Sequence, residues 1–166
     1  TELPLGTAES FASFERATLL TPEAPEPLLA LIRLEVSQKQ IDRARLRLGN
    51  LVTTRPDHPY VHGLLGELSA LTGRQDEAHV HFREATRVNP TWITPWLNWA
   101  TLALSQDTPT VAAQILKEGL AANETSEELH MLLASVLANQ GRIDEAIAAY
   151  GMVLRTNPHN VFSANN

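Results

Sequence analysis

Proline stands at positions 22, 56, 90 and 158, and an even step of about 34 residues, a period known for helical repeats, connects all four through one further position, Glu124. Other columns on the same ruler keep their character. Ala146 falls on Ala112, Ala78, Ala44 and Ser10; Tyr150 falls on Leu116, Phe82, Leu48 and Phe14. Gly141 falls on Asp107, Gly73 and Lys39, and Ala134 on Ala100, Gly66 and Ile32. A period held in one register along a whole chain marks an array of small units stacked in line. Each unit is too small to bury its apolar face alone and does so against its neighbours.

Residues 127–160 define the unit. Leu129, Leu132, Leu133, Val136 and Leu137 recur at helical spacing, and Asn139-Gln140-Gly141 follows as a turn. A second periodic run holds Ile143, Ala146, Ile147, Tyr150 and Val153 before Pro158. The pattern predicts two helices joined by a glycine-containing turn, a helical hairpin. Units are expected at 25–58, 59–92, 93–126 and 127–160. Residues 8–24 form the second helix of a preceding unit, and 161–166 begin a further one. Helices are predicted near 8–20, 26–38, 41–54, 59–72, 75–88, 93–105 and 109–122, with residues 1–7 irregular because of Pro4 and Gly6. Three prolines in residues 21–27 could suggest a domain linker, but the period runs through them, which favours a turn between units. Because the chain opens on half a unit and stops partway into another, a longer array is expected.

The third unit departs from the pattern. Gln106-Asp107-Thr108-Pro109 replaces the glycine turn, with Asp107 or Thr108 as a helix cap and Pro109 in the first turn. Gly119 stands where a packing alanine is usual. A glycine inside a helix costs about 1 kcal/mol relative to alanine, so a close helix contact or a local bend is expected there. In the fourth unit, Thr125 and Glu128 have the spacing of a capping box.

Leu65-Gly66, Gly73, Ala78, Phe82, Ala85 and Pro90, with Trp96 as a leading aromatic, resemble the tetratricopeptide repeat pattern. The resemblance implies an all-α, right-handed superhelical solenoid of antiparallel helix pairs, about four and a half repeats long. It also implies a concave groove lined by the first helix of each pair, in which a protein or peptide partner would lie. The inward positions carried over from the family include Leu29, Arg33, Tyr60, Glu67, Leu97, Thr101, Leu104, Met131 and Ser135. Asn98 and Asn166 share a position where asparagine in long superhelical members holds a peptide backbone. Members that grip acidic chaperone tails use several Lys, Asn and Arg residues; Arg33 is the one basic residue at these positions, so such a clamp is not expected. Leu29, Tyr60, Leu97, Leu104 and Met131 suit an amphipathic helix or extended peptide with apolar anchors.

Little else in the chain carries chemistry. There is no cysteine, and the net charge of −6 disfavours phosphate-backbone contacts. No GxGxxG, P-loop or GxSxG motif occurs. Among six histidines, His58 and His62 are separated by Pro59, His79 and His81 face different sides, and His130 has no HExxH context. Asp76-Glu77 and Asp144-Glu145 recur at equal phase, as residues serving helix N-termini do. Arg43, Arg45 and Arg47 read as a solvated outer face offset by Asp42 and Glu35. Trp92, Trp96 and Trp99 read as packing residues, with Trp92 the one expected in solvent.

The expected function is therefore a non-catalytic protein–protein interaction scaffold with no cofactor, no metal, no nucleic-acid partner and no membrane insertion. One alternative is a regulatory or substrate-presenting arm of a larger enzyme, such as a glycosyltransferase or an envelope or polysaccharide assembly machine. Another is a self-assembly module, a homo-oligomer formed through array ends where Phe11, Phe14, Ile143, Ile147 and Tyr150 are partly uncovered.

Overall fold

The computed structural model describes residues 5–22, 24–58 and 60–157. Expectations for Pro158, Asn166 and the unit beginning at 161 lie outside them. Nine α-helices and no strand occur among the described residues: α1 (Leu5–Leu20), α2 (Pro25–Ser37), α3 (Ile41–Thr54), α4 (Val61–Leu71), α5 (Gln75–Val88), α6 (Ile93–Ser105), α7 (Pro109–Ala122), α8 (Glu127–Asn139) and α9 (Ile143–Thr156). None is long and apolar enough to cross a membrane. Each helix packs on the next in sequence, and first helices touch across hairpins, α4 on α6 and α6 on α8. This is a right-handed solenoid of antiparallel pairs.

The turns inside the hairpins show why the period is strict. Lys39, Gly73, Asp107 and Gly141, each one period from the next, all have positive φ, between 55° and 74°. In all four turns this residue donates its N–H three residues back and the next residue donates five back, as in Gly73 to Ala70 and Arg74 to Ser69. That is the Schellman ending, which satisfies the last carbonyls of a helix and reverses the chain. Glycine enters the left-handed region freely, whereas holding Lys39 and Asp107 there costs about 1 kcal/mol each.

Packing follows the same columns. Ala44, Ala78 and Ala112 are fully buried and Ala146 nearly so, as are Leu48, Phe82 and Leu116. Glycines sit where a ring lies directly on a helix. A Cβ on Gly66 would meet the Phe82 ring at 2.5 Å, and one on Gly119 would meet Trp96 at 3.0 Å. Gly119 therefore marks the close contact anticipated for that position. Ring nitrogens tie off the turns between hairpins: Trp96 Nε1 donates to the Pro90 carbonyl at 2.9 Å, and His130 Nε2 lies 2.8 Å from the Glu124 carbonyl. Trp96 and His130 are one period apart, as are the two carbonyls, so one position does one job twice.

Several expectations need correction. Leu5–Thr7, expected to be irregular, are helical. The fourth hairpin is capped by Ser126, whose Oγ accepts from Leu129 N at 3.3 Å, so Thr125 and Glu128 do not form a capping box. Thr108 is the N-cap of α7, but its hydroxyl donates back to the Ala103 carbonyl. Phe11 and Tyr150, expected to be partly uncovered, are buried, whereas Phe14 is half-buried and Ile143 and Ile147 are exposed as expected, together with Leu19 and Leu20. Trp92 is half-buried, edge-on to Tyr60 at 4.8 Å and lying over Gly63.

The arginines are structural. Arg47 bonds Glu35 at 3.0 Å and Glu15 at 2.6 Å, Arg43 reaches the same two carboxylates, and Arg45 bonds Glu77 at 2.9 Å. Glu35 is completely buried between α2 and α3. The guanidinium of Arg43 also lies over the Phe11 ring. These groups knit α1, α2, α3 and α5 together instead of forming a free outer face.

Candidate functional site

The inner row of first helices presents two adjoining recesses. The first, about 230 Å³, lies between α2 and α4 and is walled by Ile32, Arg33, Val36, Leu64, Glu67 and Leu71. The second, about 600 Å³, lies between α4 and α6, with Glu67, Leu71, Phe82, Asn98 and Thr101 among its walls. Glu67 and Leu71 belong to both. Helical geometry accounts for this: residues four apart on α4 stand one above the other, and the pair looks to either side.

Glu67 is the polar centre of the site. Asn98 Nδ2 donates to its Oε1 at 2.8 Å, bridging α4 to α6. Burial pushes the Glu67 carboxyl above its ordinary value, against the opposing pulls of Arg33 and of the Asn98 amide. The carboxylate thus costs some stability near neutral pH. Arg33 and Thr101 are exposed, and Leu71 is 63% exposed. An apolar wall, hydrogen-bond donors and acceptors, and one charge of each sign suit non-covalent recognition of a chain laid across the helices.

Of the positions expected from the sequence, Arg33, Glu67, Asn98 and Thr101 come together around these recesses. The aliphatic ones behave differently. Leu29 packs on the α2–α4 core, Leu97 and Leu104 on the α6–α9 core, and Met131 against Ala134, Ala149 and Tyr150. Ser135 is half-buried on α8, and Tyr60 is taken up by Trp92. Gln75, Phe82 and Leu102 line the larger recess without having been anticipated. Their signal was present, since Phe82 faces Gly66 by the same periodic rule that names the core. Among the described residues no group of three His, Cys, Asp or Glu side chains is placed to hold a metal ion.

The profile of the family described as Tetratricopeptide repeat matches residues 7–68 and 103–163, well over half of the chain. The PsbB mRNA maturation factor Mbb1, chloroplastic, of Chlamydomonas reinhardtii is 34% identical over 74 residues, which is 43% of this chain; the match takes in 11% of that protein. Among solved structures, TTC0263, a thermophilic TPR protein of Thermus thermophilus, is 26% identical with a TM-score of 0.67 over 93% of this chain and 85% of its own. PilF of Pseudomonas aeruginosa superposes at a TM-score of 0.71 with 16% identity, over 95% of this chain and 72% of that one. YrrB, described as a TPR protein with an unusual peptide-binding site, gives 0.63 with 20% identity over 90% and 77%. The last two likenesses speak to the fold alone.

Proposed function

The chain belongs to the tetratricopeptide repeat family, whose arrays serve as protein-interaction scaffolds, and from that premise we propose that it binds an extended or helical peptide across the inner faces of α2, α4 and α6. The supporting observation is that two recesses meet at Glu67, with Arg33 on one side and Asn98 and Thr101 on the other. An apolar side chain of the peptide enters the α2–α4 recess against Ile32, Leu64 and Leu71. The peptide backbone runs past Asn98 and Thr101, whose side chains supply hydrogen bonds that a solvated groove would otherwise give to water. Leu97 and Leu104 on α6 and Met131 on α8 are half-buried and pack in part against the α6–α9 core. YrrB's reported peptide site is an instance of the fold carrying such a function; the residues that would do it here are argued from this groove.

The test is a peptide selected from a displayed random library against the immobilised chain, then titrated in solution. Leu71→Asp and Thr101→Arg are expected to weaken it by about tenfold or more, the scale of a lost interface anchor. Val80→Asp and Val111→Asp, on the exposed sides of α5 and α7, should leave affinity within about twofold. Loss of binding in the second pair with retention in the first would place the peptide elsewhere.

A further inference from the structure

His62 on α4 and His81 on α5 are brought face to face. Their Nδ1 atoms stand 3.3 Å apart, with ring centroids 5.5 Å apart and ring planes inclined by 35°. Both side chains are half-buried, so one side of the pair remains open to solvent. Two imidazole nitrogens on one tetrahedral zinc, each about 2.0–2.1 Å from the ion, lie about 3.3–3.4 Å from each other. The hairpin therefore already holds two nitrogens at the spacing of neighbouring ligands, and the Schellman turn at Gly73 fixes the two helices that carry them. The same spacing also accommodates one shared Nδ1–H···Nδ1 hydrogen bond. A metal would take the place of that hydrogen, which moves to the Nε2 of the same ring.

Two carboxylates stand on the same helix as His81, and each is already paired with arginine. Glu77 lies one turn before His81 on α5 and pairs with Arg45 and Arg74, and Glu84 lies three residues after His81 and pairs with Arg87, so water, not carboxylate, is left to complete a coordination shell. Three other histidines are engaged elsewhere. His58 meets the Pro22 carbonyl, His79 spans Trp99 and Gln106, and His130 meets the Glu124 carbonyl.

We propose that the Nδ1 atoms of His62 and His81 form an open two-histidine site for Zn2+ or a similar divalent ion, with water completing the coordination. Such an ion binds the folded hairpin and not the separated helices, so it clasps α4 to α5 and stabilises the array. The experiment is calorimetric titration of ZnCl2 into the tag-free, chelator-stripped chain at about pH 7.5, with melting curves in the presence and absence of Zn2+. One ion per chain is expected, with a Zn2+-dependent rise in Tm. His62→Ala, His81→Ala and His81→Gln should each weaken binding by about tenfold or more and abolish the rise, the scale found for damaged ligand sets. Gln at 81 can still hydrogen-bond to His62, so it separates a packing role from ligation, and circular dichroism checks that each variant folds. No saturable binding near one equivalent, or wild-type affinity in His81→Gln or in the double variant His62→Ala/His81→Ala, would overturn the proposal.

Discussion

Phe82→Ala is expected to remove about 3–5 kcal/mol of folding stability, the range for deleting a buried phenylalanine. Phe82 is 1% exposed and packs with Ala78 and Leu102, so its loss opens a cavity between α4, α5 and α6. In a chain of this kind that is a large share of the total, since domains are commonly stable by about 5–15 kcal/mol. The ring also rests on Gly66, where an added Cβ would come within 2.5 Å of it. Gly66→Ala alone should therefore cost about 1–3 kcal/mol by overpacking. In the Phe82→Ala background it should cost much less, because the methyl group then enters the cavity. Chemical denaturation of the four proteins in this cycle measures the coupling. Additive losses would mean that the two side chains do not meet.

Removing both Arg43 and Arg47 should cost a comparable amount, about 3–5 kcal/mol, for a different reason: a buried carboxylate is left without its partners. Glu35 is completely buried, and its Oε1 receives all three guanidinium contacts; its Oε2 has no hydrogen-bond partner among the described residues. Either arginine alone still leaves one cation on that oxygen, so single alanine variants should lose far less than the pair. The decisive comparison adds Glu35→Leu to Arg43→Ala/Arg47→Ala. If the penalty is uncompensated charge, the triple variant recovers much of the lost stability, because the site then buries carbon in place of a carboxylate. If the triple variant is no better than the double, the arginine side chains act by packing their aliphatic stems.

Much of the fold was legible because one rule is applied repeatedly. Proline, alanine and glycine columns spaced by a single period fix where helices end, where they touch and where the backbone turns left-handed. Even Lys39 and Asp107, which give no local hint of a positive φ, are named by their register with Gly73 and Gly141. Contacts that depend on which way a polar side chain leans were harder to see. Arg47 with Glu15 and Arg45 with Glu77 are each separated by slightly less than one period, the distance between neighbouring second helices, whereas pairing the arginines only with Asp42 and Glu35 leaves them on a solvated face. His62 and His81 are 19 residues apart, which is a cross-hairpin distance and not an intrahelical one. The groove was half legible. The register placed Arg33, Glu67, Asn98 and Thr101 on the inner row, and they line the two recesses there. It could not tell how Leu97, Leu104 and Met131 divide between core and surface, and all three are half-buried, because an aliphatic residue at the edge of an inner face serves either side equally well.

Hydrogen exchange with and without the selected peptide tests most directly that the inner row of helices is the recognition surface. Binding there should slow exchange in Pro25–Ser37, Val61–Leu71 and Ile93–Ser105 and leave Pro109–Ala122 and Ile143–Thr156 unchanged. Protection confined to α7 and α9, with α4 and α6 exchanging as in the free chain, would contradict it.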